Sequence, residues 1–167
     1  MESLAAKLDH LAELPEIPPG PFRHARRVRW GDCDPAKIAY TGNIPAMALE
    51  AVEDWVKACC GADWFQCNLD LGYGTPFVHL SCDFLSPITP RHELIFQLVV
   101  EYLGSSSVAV RLEGLQDDKT CLRGRYVFTF VDAGSFAPVP IPPEIRARMA
   151  GFADRQGSPW ENKDRTP

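Results

Sequence analysis

The sequence has no apolar run of the roughly 20 residues that span a bilayer, which excludes a membrane-spanning helix. It has no CxxC pair, no HExxH and no Cys/His ligand spacing. His10, His24, His79 and His92 are scattered, so neither a metal site nor a cofactor is expected. Positive charge is in short supply. Lys and Arg number 17 against 22 Asp and Glu, a net charge of −5, which argues against nucleic acid as a partner because phosphate binding needs a basic surface. The start, MESLAAKLDHLAEL, carries acids and no basic-then-apolar layout, so it does not read as a secretory signal. The six cysteines, Cys33, Cys59, Cys60, Cys67, Cys82 and Cys121, form no small-domain disulfide framework. Reduced thiols and a cytoplasmic location are the simplest expectation.

What is present is an acidic turn running into the longest helical pattern in the chain, WGDCDPAKIAYTGNIPAMALEAVEDW at 30–55. Asp34 precedes Pro35, whose ring disfavours the α region for the residue before it, so Asp34 belongs to an extended or turn segment. Asn43 is expected to cap the helix through its side-chain oxygen, and Pro45 falls in the first turn, where its missing donor costs nothing. The spacing predicts a helix over 44–60. Ile44, Ala48, Ala51, Val52, Trp55, Ala58 and Cys59 make its buried face, Glu50, Glu53, Asp54 and Lys57 the opposite stripe, and Gly61 its stop. A carboxylate is thereby held one short loop from unpaired helix N–H groups. A hydrolase acting on a carbonyl needs that pairing, a base or nucleophile beside an oxyanion site.

Residues 1–21 read as an N-terminal arm: an amphipathic helix over 2–13 with Leu4, Leu8, Leu11 and Ala12 on one face, then the breaker PEIPPGP. The arm is either frayed or packed on a partner subunit. The domain proper is placed at 22–152, and 153–167 is a polar tail. A short strand over 24–30 precedes the acidic turn, and 62–74 reads as a loop. Four strands follow at 76–86, 93–102, 107–115 and 120–131. The second alternates Leu94, Phe96, Leu98, Val100 and Tyr102 against Glu93, Gln97 and Glu101, as a sheet with one buried face does. Gly104–Ser106 and Gln116–Lys119 read as hairpin turns, and a Pro-led helix is placed near 142–151. One helix with a broad apolar face must be covered by the one sheet available. The expected fold is α+β: a hot-dog fold, with a long central helix wrapped by a curved antiparallel sheet. Such a layer leaves strand edges and an apolar flank, so a dimer is expected.

WGDCDPAKIAYTGN resembles the strand-end and turn motif of the 4-hydroxybenzoyl-CoA thioesterase family of hot-dog enzymes. GTPFVHLSCDFLSPITPRHEL resembles that family's next strand, and VPIPPEIRARM its closing segment. The likeness covers about residues 24–151. It implies hydrolysis of an acyl-CoA substrate without a metal, by a homodimer or homotetramer. The catalytic carboxylate falls on Asp34, and backbone amides near Thr41 and Gly42 polarise the thioester carbonyl. The acyl group lies in a pocket shared between subunits, and Tyr40, Asn43, Thr75, Pro76 and Phe77 are the candidate substrate-binding residues. Tyr40, Phe77 and Phe84 point to an aromatic or medium acyl group. The chain departs from the best-studied branch at the hairpin Leu103-Gly104-Ser105-Ser106-Ser107, which lacks the basic cluster that holds the CoA phosphates there. Arg91, Arg123 and Arg125 are the candidate substitutes, unless the pantetheine arm dominates binding.

Several roles stay open at this level. Asp34 is either a nucleophile forming a mixed anhydride or a general base acting on water. Asp32 reads as structural, bonding turn amides two residues on. Tyr40 lines the acyl pocket or packs, and Thr75 touches the acyl group or starts a strand. Glu50 shares the solvated stripe, although another hot-dog branch carries its carboxylate on the central helix. His79, on one side of its strand with Asp83, reads as a surface residue. Cys33 has no histidine placed to activate it. The competing functions are an acyl-carrier-protein thioesterase, an enoyl-thioester hydratase and a non-catalytic thioester-binding module. The helix 44–60 lacks the histidine that a hydratase needs.

Overall fold

A computed structural model describes residues 9–18 and 20–153. The elements follow in the order β1 (Phe22–Arg27), α1 (Ile44–Cys60), α2 (Trp64–Gln66), β2 (Tyr73–Gly74), β3 (Phe77–Phe84), β4 (Glu93–Leu103), β5 (Ser107–Gln116), β6 (Lys119–Thr129), β7 (Val131–Asp132) and α3 (Pro143–Ala150). Five strands form one antiparallel sheet in the order β1-β4-β5-β6-β3, and β2 pairs with β7. The long helix α1 packs on this sheet through β1 and β4, which is the hot-dog arrangement.

The helix has the bounds its sequence predicts. Gly61 ends it in the left-handed region, at φ 67°, with its amide on the Lys57 carbonyl at 2.8 Å. Its buried face adds Met47, Val56 and Cys60 to the expected residues, while Ala58 is only half-buried. Trp55 sits at the centre, fully buried, with its ring edge-on to Phe128 and Phe152 at 6.3 Å each. Truncating such a residue to alanine costs about 3–5 kcal/mol.

Three local expectations are corrected. Tyr102 does not continue the buried face of β4. The register slips between Val100 and Tyr102, and the bulge turns Tyr102 out to 58% exposure. Gln116 is not a turn residue: it ends β5, is buried, and the turn is the two residues Asp117 and Asp118, both at positive φ as a type I′ hairpin requires. The first strand ends at Arg27, because the chain then folds into a tight turn over Trp30–Asp32, closed by the Arg29 amide on the Asp32 carboxylate at 2.8 Å. In the loop after α1, the single turn of α2 is capped by Asp63, which exchanges hydrogen bonds with Gln66, and runs on into a wider turn over Cys67–Leu71.

Of the arm, residues 1–8 lie outside the described residues, as does the tail from 154. Asp9–Glu13 form a short 3-10 turn, Leu11 is buried in the core, and Leu14 and Ile17 pack against it. The Pro15 carbonyl accepts a hydrogen bond from Arg148 Nη2 at 3.0 Å.

Candidate active site

Asp34 sits at the head of a loop whose shape its own sequence dictates. Asp at the first position and Pro at the second favour a β-turn, and the Lys37 amide closes it onto the Asp34 carbonyl at 2.9 Å. Asp34 Oδ1 accepts the Ala36 amide at 2.8 Å, the short-range bond typical of aspartate in turns. Lys37 takes the left-handed conformation, φ 66°, and the Asp34 amide returns to the Ile38 carbonyl at 3.0 Å. Cys33 and Ala39 then face each other as an antiparallel bridge. Asp34 is half-buried as a residue, and its Oδ2 makes no hydrogen bond among the described residues. One oxygen is fixed by the turn and the other is unengaged.

Asp32 ties this loop to its surroundings. Its carboxylate takes Arg26 Nη1 at 3.0 Å and the Arg29 amide at 2.8 Å, and its backbone carbonyl takes the Tyr40 amide at 2.8 Å. Its partners are therefore not the amides two residues on. The Arg26 hydrogen bond, with help from the Arg29 amide, holds the Asp32 carboxyl below its ordinary pKa. Arg26 continues to Glu50 of α1 through Nε at 2.7 Å, and one rung along, His24 Nδ1 meets Asp54 at 2.7 Å. Two residues of strand advance about 6.6 Å and four of helix about 6 Å, so β1 and the Glu50/Asp54 stripe keep step. That stripe is not simply solvated, as its sequence suggests.

A 3-10 turn stands directly before the helix, where its sequence suggests a capped end. Thr41–Asn43 form a 3-10 turn that leads into α1, with the Asn43 amide on the Tyr40 carbonyl at 2.8 Å. Asn43 is already helical, φ −87° and ψ −23°, and its side chain makes no cap. It donates from Nδ2 to the Asp32 carbonyl at 3.3 Å instead. Thr41 and Gly42, the first two residues of the turn, have no carbonyl ahead of them within it, and both are exposed. The Tyr40 ring, 55% exposed, lies over Gly42 so closely that a Cβ there would stand 2.5 Å from its Cε1. Tyr40 thus packs on the backbone of the candidate oxyanion site.

The remaining candidates are dispersed. Thr75 and Pro76 precede β3, and the Phe77 ring turns into an aromatic cluster with Trp64 at 5.6 Å and Phe128 at 5.5 Å. No hydrogen bond among the described residues joins this segment to the Asp34 loop within one protomer. His79 is exposed on the outer side of β3. Cys33 Sγ contacts the Arg29 carbonyl at 3.5 Å. Arg123 and Arg125 are engaged with Glu113 at 3.0 Å and Glu101 at 2.6 Å. Arg91 is exposed and has no ion pair among the described residues. Its segment lies beside the loop, since Ala39 donates to the Ile88 carbonyl at 2.7 Å. The uncharged hairpin after β4 gives its carbonyls at Leu103 and Gly104 to Arg146 of α3.

Sequence reasoning missed Gln116. Its buried amide accepts from Thr89 N at 2.9 Å and donates to the Thr89 and His92 carbonyls at 2.8 Å each, fixing the segment on which the loop rests. A cavity of about 470 Å³ opens at the other end of α1, between Leu14–Pro18, Phe22, Ala58 and Phe152, and shares no residue with the Asp34 loop. Among the described residues, no group of three acidic, histidine or cysteine side chains is placed to hold a metal, and no helix is long and apolar enough to cross a membrane.

The profile of the thioesterase-like superfamily matches residues 28–149, from the end of β1 to α3. The chain belongs to the thioesterase-like superfamily. A thioesterase-superfamily protein from Jannaschia sp. CCS1, known as a crystal structure, is 43% identical, with a TM-score of 0.76 over 80% of this chain and 94% of that one. A 1,4-dihydroxy-2-naphthoyl-CoA hydrolase from Nostoc punctiforme is 26% identical over 74% of this chain and 83% of its own length. A 1,4-dihydroxy-2-naphthoyl-CoA thioesterase from Synechocystis, at 22% identity, has a TM-score of 0.70 over 78% of this chain and 96% of its own, and shares the fold. The expected hot-dog thioester hydrolase is met at the level of superfamily and fold.

Proposed function

We propose that this thioesterase-superfamily member hydrolyses acyl-CoA thioesters at the Asp34 loop, releasing the free acid and CoA. The observation that carries the reading is the Asp34 carboxylate, with Oδ2 unbonded among the described residues, on a loop tied through the Asp32 carbonyl to the start of the Thr41–Gly42 turn. The amides of Thr41 and Gly42 polarise the thioester carbonyl and receive the charge that develops on its oxygen. Asp34 attacks the carbonyl carbon or deprotonates the attacking water, and thiolate is a good leaving group in either route. Lys37 in the loop and Arg91 in the segment beside it, both exposed, are the groups for the CoA phosphates. The substrate named for the 26% identical relative supports an aromatic acyl group.

We also place the acyl pocket at a subunit interface. The helix lies over β1 and β4, while Leu80 and Phe84 of the edge strand β3, paired across the sheet with the core residues Tyr126 and Leu122, are still 41% and 49% exposed at the far end of that same face. A second copy seated there covers this edge and brings Thr75, Pro76 and Phe77 toward the partner's Asp34 loop. Six unoxidised cysteines fit a cytoplasmic protein.

The test is thiol release from a panel of aromatic, short aliphatic and long aliphatic acyl-CoAs. Turnover of the aromatic class above the others is the expected result. No turnover of any acyl-CoA contradicts the CoA assignment and directs the search to carrier-protein thioesters.

A further inference from the structure

Arg26 touches both halves of the candidate site without reaching either reacting group. Its Nη1 and Nη2 fork onto the Asp32 carboxylate at 3.0 and 3.4 Å, while Nε donates to Glu50 at 2.7 Å. The Arg26 and Asp32 side chains are 20% and 19% exposed, so the fork is held away from bulk water. Asp32 lies two residues before Asp34, and its carbonyl receives the amide of Tyr40, the residue before Thr41. Glu50 lies on α1, the helix that the Thr41–Asn43 turn starts. The guanidinium therefore braces the acidic loop against the helix that carries the oxyanion amides.

We propose that Arg26 is the positioning residue of this site: by holding Asp32 and Glu50 together it fixes the Asp34 carboxylate relative to the Thr41 and Gly42 amides. The proposal rests on the thioesterase reading above. Charge and shape both support it. Without Arg26, two carboxylates would face each other across the gap between turn and helix, with Asp34 and Asp54 nearby, and their repulsion would open it. Three donors at fixed angles in one plane are what a guanidinium supplies, whereas a lysine ammonium reaches one carboxylate as a point charge. The effect belongs in kcat, because all three nitrogens of Arg26 are engaged by Asp32 and Glu50, and a displacement of about 1 Å at a reacting pair costs up to about 100-fold.

The experiment compares wild type, Arg26→Met, Arg26→Lys, His24→Gln and Asp34→Asn in steady-state hydrolysis of the best acyl-CoA, with a thermal melt of each. Arg26→Met is expected to lose roughly 30- to 100-fold in kcat with KM within about threefold, and Arg26→Lys to recover part of that loss. His24→Gln breaks the adjacent rung and is expected to keep kcat within about twofold, whatever its melting temperature. A folded Arg26→Met protein with wild-type kcat, or a loss confined to KM, overturns the proposal. If Arg26→Met does not fold, Glu50→Ala carries the test, since it removes one arm of the brace at an exposed carboxylate. A several-fold fall in kcat at constant KM supports the brace, and unchanged kcat overturns it. Full activity of Asp34→Asn would instead sink the reading of the site itself. An inactive Asp34→Asn beside an active Arg26→Met sinks only the role of Arg26.

Discussion

The backbone carbonyl of Asp32 accepts the amide of Tyr40 at 2.8 Å, so the two ends of the Asp34 loop are joined across eight residues and the second end becomes the start of the helix. The carboxylate and the unpaired amides are not independent features that happen to be close. They are the two sides of one closed loop.

The contact between Tyr40 and Gly42 gives the first prediction. A methyl group at position 42 meets the Tyr40 ring at 2.5 Å, and the ring, being the end of a flexible exposed side chain, has to swing away. Gly42→Ala is therefore expected to fold normally and to lower kcat/KM by about tenfold, through disturbance of the turn amides. Tyr40→Ala removes the obstacle, so the double variant is expected to be less impaired than the sum of the two single effects. A double-mutant cycle of kcat/KM checks this. Strict additivity contradicts it.

The pKa of Asp32 sets a pH dependence of stability. Its folded-state value lies below the unfolded one because of Arg26 and the Arg29 amide. The stabilisation is thus fully present above the unfolded value and is lost as pH falls through the folded value. Asp32→Asn is expected to be less stable than wild type at neutral pH, with the gap closing as pH drops below 3.8, the ordinary value for the group. Urea melts at pH 7, 5 and 3 read this directly, and a gap as large at pH 3 as at pH 7 contradicts it.

Gln116 offers a prediction that the sequence alone does not suggest. Replacing it by alanine strips partners from the Thr89 amide and from the Thr89 and His92 carbonyls. A cost of about 1–3 kcal/mol in unfolding free energy is expected, from buried polar groups left unpaired. The loss in activity should accompany it, because Ile88, next to Thr89, holds Ala39 of the Asp34 loop. Chemical denaturation and thiol release on the same protein separate the two effects. Wild-type stability in Gln116→Ala contradicts the assignment.

Cys33 tests the choice of carboxylate over thiol. It lies beside Asp34, but its Sγ faces the Arg29 carbonyl and no histidine is bonded to it. Cys33→Ala is expected to keep kcat within about threefold, since its thiol is not activated as a nucleophile. Loss of turnover in that variant, measured by acid release rather than a thiol reagent, contradicts the assignment of the chemistry to Asp34.

The edge strand β3 predicts self-association. Leu80→Glu places a charge on the half-exposed apolar edge of the sheet at β3, and is expected to shift the protein to monomer in analytical ultracentrifugation, with loss of activity. A wild-type protein that sediments as a monomer contradicts the shared pocket.

Much of this fold is legible in the sequence because the signals are local and mutually consistent. The 3.6-residue pattern from Ile44 to Cys60 and the Gly61 stop give the helix, and the period-two alternation of β4, β5 and β6 gives the meander. The Asp34-Pro35 pair gives the turn, since a residue before proline has few choices. What was not legible depends on partners distant in sequence. The capping role expected of Asn43 yields to a bond with Asp32, eleven residues away. The bulge that turns out Tyr102 leaves no mark on the alternation until the register with β5 is known. The ion pairs of β1 with Glu50 and Asp54 appear only once strand and helix are laid side by side. Gln116 looks like a hairpin residue until the segment it fastens folds over it.

The most direct test of the proposed site is kcat for thiol release by Asp34→Asn, measured beside wild type on the preferred acyl-CoA, with a thermal melt to show that the fold is kept. Asparagine preserves the bond from the Ala36 amide to the side-chain oxygen and removes only the negative charge. A fall of at least about 100-fold in kcat with an unchanged melt is the expected result. Wild-type turnover in that variant would place the chemistry elsewhere in the molecule.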